Sequence, residues 1–302
     1  MATSGPGPTK HLSGQRSGLQ TLVRAALPAV PGLNQLPGIK KSSPHPFAGL
    51  SYARTAVAAT RADVDAYAAV CDFPRKDTVP LPYPHLLAFP LHMAIMSDPE
   101  FPYPAIGMVH LENSITAHRA IGVGEVLDLT VAAAAPRVHA KGALLDFVTT
   151  VTSAGEVVWE STSTYLRRGA KPGAASESEP DAGLVIDSAP DGGVQWRLPG
   201  DLGRTYAGVS GDHNPIHLYP LTARALGFPR QIAHGMWTKA RSIAAIENRL
   251  PDAVRVEVAF KKPVFLPATV AFADRVDFSV HTFALTNAKD GSPHLVGRAT
   301  PA

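Results

Sequence analysis

An acidic residue and a histidine lie five positions apart in residues 209–219, which read VSGDHNPIHLY. A carboxyl group and an imidazole that a rigid turn holds together can act as general acid and general base. Burial pushes a carboxyl toward its protonated form, and a neutral histidine accepts a proton near neutral pH. Asp212 and His217 are therefore the candidate catalytic pair.

Helix capping is the simpler interpretation of the same stretch. Asp212 or Asn214 can accept backbone N–H groups at the start of a helix, with Pro215 in the first turn, where proline is tolerated. A cap needs one acceptor and no imidazole. Capping thus explains Asn214 and Pro215, but it does not explain Asp212 together with His217.

Two other chemistries fit the stretch less well. Asp212, His213 and His217 could bind a metal ion, but the spacing marks no fourth ligand, so we predict no metal and no cofactor. A Ser-His-Asp hydrolase is disfavoured because Ser210 lies in no Gly-x-Ser-x-Gly turn.

A second feature that could do chemistry is the start of the long helix predicted at QIAHGMW, residues 231–237. The backbone N–H of Gly235 would lie at a helix N-terminus, where free N–H groups favour developing negative charge. A tight turn or close packing explains this glycine equally well. We interpret the neighbouring His234 as structural rather than catalytic.

Three pairs of similar segments recur in the same order along the chain, which indicates an internal repeat. They match Tyr67 with Tyr206 (206 − 67 = 139), His85 with His234 (234 − 85 = 149) and Ile121 with Val264 (264 − 121 = 143). The first copy has Asp72 and Asp77 where the second has Asp212 and His217. This asymmetry predicts one working site and one half kept for its shape.

Each half reads as a short helix, a longer apolar helix and several strands. In the second half, Met236, Trp237, Ala240, Ile243 and Ala244 form an apolar stripe at helical spacing, which we expect to continue toward Pro251. Consecutive strands without helical crossovers imply antiparallel sheet. The predicted fold class is α+β, with each half a long helix on a curved antiparallel sheet and the halves joined edge to edge. The strands are predicted at residues 107–116, 126–136, 143–152 and 156–167, and again at 255–264, 268–278, 281–287 and 294–300.

Composition limits the function classes. With 302 residues, of which 45% are hydrophobic, the chain can bury two ordinary cores. A net charge of +3, not gathered into a stripe, disfavours nucleic acid as a partner. No apolar run approaches the length of a membrane span. The single cysteine, Cys71, excludes an internal disulfide and favours the cytoplasm.

The motifs YAGVSGDHNPIH, AHGMW and VAFKKPVFLPATV resemble the MaoC-like (R)-specific enoyl-CoA hydratase and 3-hydroxyacyl-thioester dehydratase family of hotdog proteins. Every fixed position of that family's Gly-Asp-x-Asn-Pro-x-His signature is present. The resemblance covers the chain after residue 50 in the double-hotdog form, and actinobacterial members look most similar. Composition and the internal repeat, together with this resemblance, predict four segments: a mostly disordered or extended tail (1–48), a repeat without the motif (49–168), a linker (169–183) and a catalytic repeat (184–302).

The resemblance also implies roles for individual residues. Asp212 and His217 would share the catalytic water, Asn214 would order the pair, and the N–H of Gly235 would bind the thioester carbonyl. Substrate contacts are expected from four residues, although Leu111 replaces the glycine that relatives carry after the first of them. Those four residues are His110, Lys141, His234 and Phe260. Pro90 is expected to break the first long helix and leave space for an acyl chain.

The implied activity is reversible syn addition of water to a trans-2-enoyl thioester in fatty acid metabolism. Coenzyme A or an acyl carrier protein would carry the substrate, and the fused halves would form a pseudo-dimer that could dimerise further. Two alternatives stay open: a hotdog thioesterase and a non-catalytic acyl-thioester-binding protein.

Overall fold

A computed structural model describes residues 8–12, 47–105, 107–170, 184–186, 190 and 192–302. Two 3-10 turns, Pro215–His217 and Glu247–Arg249, accompany the main elements. The helices are α1 (Arg61–Cys71), α2 (Tyr83–Ser97), α3 (Leu202–Ser210), α4 (Pro220–Ala225) and α5 (Gly235–Ala244). The strands are β1 (Lys10–His11), β2 (Ser51–Ala58), β3 (Met108–Ala117), β4 (Val126–Ala133), β5 (Arg137–His139), β6 (Gly142–Ser153), β7 (Glu156–Arg168), β8 (Val194–Leu198), β9 (Val254–Phe260), β10 (Ala268–Asp277), β11 (Val280–Asn287) and β12 (Pro293–Pro301).

The chain divides into two compact units that interleave in sequence. Unit 1 combines Met1–Val57, His85–Leu111 and Val126–Gly183, and unit 2 combines Ala58–Pro84, Glu112–Glu125 and Leu184–Ala302. Two segments of the predicted first repeat, 58–84 and 112–125, thus belong to unit 2. Contacts within unit 2 explain their place, because α1 packs against α3 and the end of β3 pairs with β9.

Unit 1 contains a sheet in the order β1-β2-β4-β6-β7, with β5 added beside β6. Strands β4, β6 and β7 run antiparallel, whereas the short β1 runs parallel to β2. Helix α2 packs on this sheet through His92, whose Nε2 lies 3.1 Å from Thr149 Oγ1. The helix is apolar on nearly all sides, which suits its burial.

Helix α2 continues through Pro90, so the predicted break is wrong. A proline inside a helix removes one hydrogen bond and disturbs the carbonyl groups of the preceding turn. Here the Arg54 guanidinium donates to the Leu87 carbonyl at 3.1 Å. A side chain from β2 therefore supplies a donor in the turn where proline cannot.

Unit 2 contains an antiparallel sheet in which the second part of β3 is followed by β9, β12, β11, β10 and β8. Helix α5 packs on it, with Met236, Trp237, Ala240 and Ile243 buried as the apolar stripe predicts. The helix ends at Ala244, earlier than Pro251 led us to expect. Each unit is thus α+β, with one long helix on a mostly antiparallel sheet.

The strands lie close to the positions that the sequence predicts. All eight predicted strands form, and β2 begins at Ser51, near the expected start of the packed chain. Strand β1 lies within the predicted tail, where Lys10 and His11 pair with β2 and Lys10 forms a 2.7 Å ion pair with Asp98. The rest of the predicted tail, 1–7 and 13–46, and most of the predicted linker, 171–183, lie outside the described residues.

Within the part of the chain that the structure describes, none of the helices is long and apolar enough to cross a membrane.

Candidate active site

The candidate site begins where α3 ends. Gly211 takes a left-handed conformation (φ 73°), and its N–H donates to the Ala207 carbonyl at 3.0 Å, which closes the helix. Glycine adopts this conformation without steric cost, so the chain can turn sharply after Ser210. The Ser210 hydroxyl then accepts the Asp212 N–H at 3.2 Å. These bonds hold Asp212 immediately beyond the helix.

Asp212 and Asn214 both accept backbone hydrogen bonds in the turn that follows. Asp212 Oδ1 accepts the Asn214 N–H at 3.1 Å, and Asn214 Oδ1 accepts the Ile216 N–H at 3.4 Å. Pro215 is the first residue of the 3-10 turn, as the capping interpretation requires. Capping therefore accounts for Asn214 and Pro215. Asp212 retains a second carboxylate oxygen, and its side chain is 26% exposed.

His217, the last residue of the 3-10 turn, is buried. Its Nδ1 lies 2.8 Å from the Ile232 carbonyl oxygen, which can only accept, so Nδ1 carries the proton and Nε2 presents a lone pair. Burial lowers the pKa of His217 below its ordinary value, against the opposing effects of the Asp212 charge and the Ile232 carbonyl. The neutral ring is thus ready to accept a proton.

His234 completes a compact cluster with Asp212 and His217. One nitrogen or carboxylate oxygen of each side chain lies within 4.8 Å of those of the other two. Two hydrogen bonds of about 2.8 Å to a shared water span such a distance, which is the arrangement that the candidate pair Asp212 and His217 needs. The same three residues could ligate a metal ion, but His234 Nε2 already bonds the Asp212 carbonyl at 2.9 Å.

Helix α5 starts directly after this cluster. Its first residue is Gly235, and His234 occupies the N-cap position without a capping side-chain bond. A Cβ at residue 235 would lie 3.2 Å from the Phe260 ring, so close packing favours glycine here. The first N–H groups of a helix have no acceptor within it, so this packing is compatible with the charge stabilisation expected from the sequence.

The predicted site residues fall into two groups. Unit 2 brings together the turn residues Asp212, Asn214 and His217 with His234, Gly235 and Phe260. His110 and Lys141 belong to unit 1. His110 stacks on Tyr165 with ring centroids 4.5 Å apart, and Lys141 is exposed beside β6.

The first copy of the motif has no comparable arrangement. Asp72, which aligns with Asp212, forms a 2.7 Å ion pair with Arg241, and Asp77 pairs with Arg61 at 2.8 Å. Both carboxylates face solvent and neither has a histidine partner in these pairs. The asymmetry noted in the sequence therefore has a structural counterpart.

Two members of the site were missed in the sequence. The Tyr206 ring lies 4.9 Å from the His234 ring, although Tyr206 was singled out only as a repeat match. The Ile232 carbonyl, which sets the tautomer of His217, carries no signal in a side-chain motif. The fold alone brings segment 231–234 against the turn, so the sequence cannot indicate such a backbone acceptor.

The chain is similar to MaoC-like proteins in sequence and in structure. A MaoC-like domain matches residues 190–281. The chain is 38% identical over 284 residues to 3-hydroxyacyl-thioester dehydratase X of Mycobacterium tuberculosis, covering 93% of this chain and 97% of that protein. The crystal structure of HtdX from the same organism matches with 36% identity and a TM-score of 0.74, covering 83% of this chain and 100% of that one. A MaoC-like dehydratase from Phytophthora capsici, 19% identical, has the same fold, with a TM-score of 0.70 over 83% of this chain and 95% of that one.

Proposed function

The chain belongs to the MaoC-like dehydratase family of hydro-lyases, and we propose that it is a (3R)-3-hydroxyacyl-thioester dehydratase of fatty acid metabolism. In the reverse direction it acts as an (R)-specific 2-enoyl-CoA hydratase. The observation that carries this proposal is the pairing of Asp212 with a neutral His217 at a distance that one water can bridge.

The reaction adds one water across a carbon–carbon double bond. Asp212 and His217 share the water: one group accepts a proton as the water oxygen bonds to C3, and a proton returns to C2 on the same face. No atoms other than those of water are gained. Asn214 keeps the pair in register through the backbone bonds of the turn.

Charge develops on the thioester oxygen whenever C2 bears a partial negative charge. We assign the stabilisation of that charge to the backbone N–H of Gly235 at the start of α5. A preorganised donor of this kind typically contributes roughly 10²- to 10³-fold to kcat. The Phe260 ring packs close to the first turn of α5, 3.2 Å from where a Cβ on residue 235 would lie.

Further parts of the proposal concern substrate and assembly. We assign His110, Lys141 and Phe260 to contacts with the thioester or its pantetheine arm, which coenzyme A or an acyl carrier protein presents. We also propose that the two units act as a pseudo-dimer able to dimerise further, and that the protein works in the cytoplasm. The internal repeat supports the pseudo-dimer, and the lone, buried Cys71 suits a reducing compartment.

Hydration of trans-2-butenoyl-CoA, followed by loss of the enoyl absorbance and chiral analysis of the product, tests the activity. Asp212→Asn and His217→Ala should each lower kcat by roughly 100-fold or more, as is typical when a general acid or base is lost. Asp72→Asn is the matched control, since it removes the aligned carboxylate of the first copy. That variant should keep kcat within about 2-fold, because an exposed ion pair contributes little.

Other outcomes distinguish the alternatives. Release of free thiol without hydration would identify a thioesterase. Hydration that survives both Asp212→Asn and His217→Ala would leave only acyl binding at this site. An S-configured product would contradict the proposed stereochemistry.

A further inference from the structure

We propose that His234 is a positioning residue of the hydration reaction, holding the backbone of Asp212 and the ring of His217 while remaining uncharged itself. The inference rests on the proposed function. It gives His234 a role distinct from the substrate contact expected from the sequence, because its ring is buried and its bonds are made to the catalytic pair.

The first contact is a hydrogen bond to the backbone of Asp212. His234 Nε2 lies 2.9 Å from the Asp212 carbonyl oxygen, and since a carbonyl only accepts, Nε2 carries the proton. Asp212 is thereby held on both sides, with its N–H on Ser210 Oγ and its carbonyl on His234. Asp212 Oδ2 lies 3.8 Å from His234 Nε2, too far for a hydrogen bond. His234 thus binds the backbone of Asp212 and leaves this carboxylate oxygen available.

The second contact is a ring stack. The rings of His217 and His234 lie with centroids 3.7 Å apart and planes inclined by 26°. His217 is separately tied to the Ile232 carbonyl, and the Ile232 N–H donates to the Ile216 carbonyl. The hydrogen bond to Ile232 alone would still let the His217 ring tilt about its Nδ1–H bond. The stack with His234 restrains that tilt.

Burial keeps His234 neutral. It is 2% exposed, and its Nδ1 makes no hydrogen bond to the described residues. Burial holds its pKa well below the ordinary value, and the proximity of His217 and His213 lowers that pKa further, against the opposing effect of the hydrogen bond that His234 donates to the Asp212 carbonyl. A proton on Nδ1 would place a buried cation beside the ring that must accept the reaction's proton. A neutral His234 leaves that proton to the catalytic pair.

Positioning and substrate contact predict different kinetics. A residue that contacts substrate equally in the ground and transition states changes KM when it is removed, whereas a residue that aligns catalytic groups changes kcat. Misplacing a catalytic group by about 1 Å can cost roughly 10²-fold in rate. The split between kcat and KM therefore separates the two roles.

The experiment compares two variants that each keep one contact. His234→Gln retains an N–H that can reach the Asp212 carbonyl but loses the stack, and His234→Phe retains a ring but loses the donor. We expect kcat for trans-2-butenoyl-CoA hydration to fall roughly 10-fold in His234→Gln and roughly 100-fold in His234→Phe, with KM within about 3-fold in both. A rise in KM at unchanged kcat, or wild-type kinetics in both variants, would overturn the proposal.

Loss of folding and loss of activity are measured separately for each variant. Thermal unfolding and circular dichroism give the folded fraction of each variant, and a loss of kcat that disappears on correction for that fraction would also count against positioning. In wild-type protein, ¹⁵N spectra of labelled histidines, assigned with His234→Gln, should show His234 as the neutral Nε2–H tautomer at the ordinary histidine pKa of 6.5 and above it. A charged His234 at that pH would refute the inference. Wild-type protein that fails to hydrate any trans-2-enoyl thioester would refute the proposed function instead, and leave the tautomer measurement valid.

Discussion

At the scale of single residues, one short turn combines structural and chemical roles. Asp212 accepts the Asn214 N–H with one carboxylate oxygen and keeps the other. Helix capping and acid–base chemistry are alternative interpretations of the sequence. In the structure, the Asp212 carboxylate has one oxygen for each of these roles. His217 resembles Asp212 in this respect, since Nδ1 fixes the orientation of its ring on Ile232 and Nε2 is left for the proposed reaction.

The pKa of His217 predicts how activity depends on pH. The reaction needs the neutral ring, and burial lowers its pKa below the ordinary value of about 6.5. As pH falls, the ring stays neutral until the pH approaches the lowered pKa, so the acid limb of kcat/KM should lie below pH 6.5 and the rate should be flat at pH 7. The pH dependence of kcat/KM for trans-2-butenoyl-CoA reports the pKa of His217 in the free enzyme. An acid limb centred above pH 7 would contradict a buried neutral His217.

The candidate pair Asp212 and His217 could be proposed from the sequence, because the two side chains lie five residues apart in one turn. The role proposed for His234 could not, since the contacts on which it rests join segments 22 and 17 residues away in the chain. Its tautomer depends on a backbone carbonyl of Asp212, and no residue type signals that.

At the scale of elements, helix α5 is fixed to the sheet of unit 2 by a buried lysine. Lys239 is 0% exposed, and its Nζ donates to Asn113 Oδ1 at 2.5 Å, to the Asn113 carbonyl at 3.2 Å and to the Val256 carbonyl at 3.3 Å. Burial lowers the pKa of Lys239 well below its ordinary value. Since α5 also carries Gly235, this contact links the position of the helix to the site.

Removing the two partners of this contact should have unequal effects. Asn113→Ala takes away the closest acceptor and leaves a buried amine poorly satisfied, which should lower the free energy of unfolding by about 1–3 kcal/mol. Lys239→Met removes the polar group itself and keeps most of its volume, so a loss of less than half that size is expected. Urea unfolding of the two single variants and the double variant measures these values. Equal losses that add in the double variant would show that the two groups do not interact.

Helix α2 shows where element prediction failed. A proline within an apolar helical pattern predicts a break, and the rule holds for the helix in isolation. The Arg54 side chain, 33 residues from Leu87 in the sequence, supplies a donor to the disturbed turn. Tertiary contacts of this kind override local rules and leave no trace in the local pattern.

At the scale of the whole molecule, the internal repeat correctly indicated two helix-on-sheet units but not which segments form each unit. The eight strands follow from alternating and β-branched runs, which are local signals. The assignment of 58–84 and 112–125 to unit 2 depends on packing between distant segments. One example is the bond from Trp237 Nε1 to the Val70 carbonyl at 3.0 Å, across 167 residues.

This interleaving predicts that the second half of the chain does not fold by itself. A fragment of residues 184–302 contains the whole catalytic turn but lacks Val70 and Asn113, so Trp237 loses its acceptor and Lys239 loses two of three. Each unsatisfied buried group costs about 1–3 kcal/mol, and the missing helix α1 exposes apolar surface as well. The fragment should show no cooperative thermal transition and no hydratase activity, whereas co-expression with residues 1–170 should restore both. An isolated 184–302 fragment that unfolds cooperatively and hydrates trans-2-butenoyl-CoA would show that unit 2 is complete without the segments from the first half.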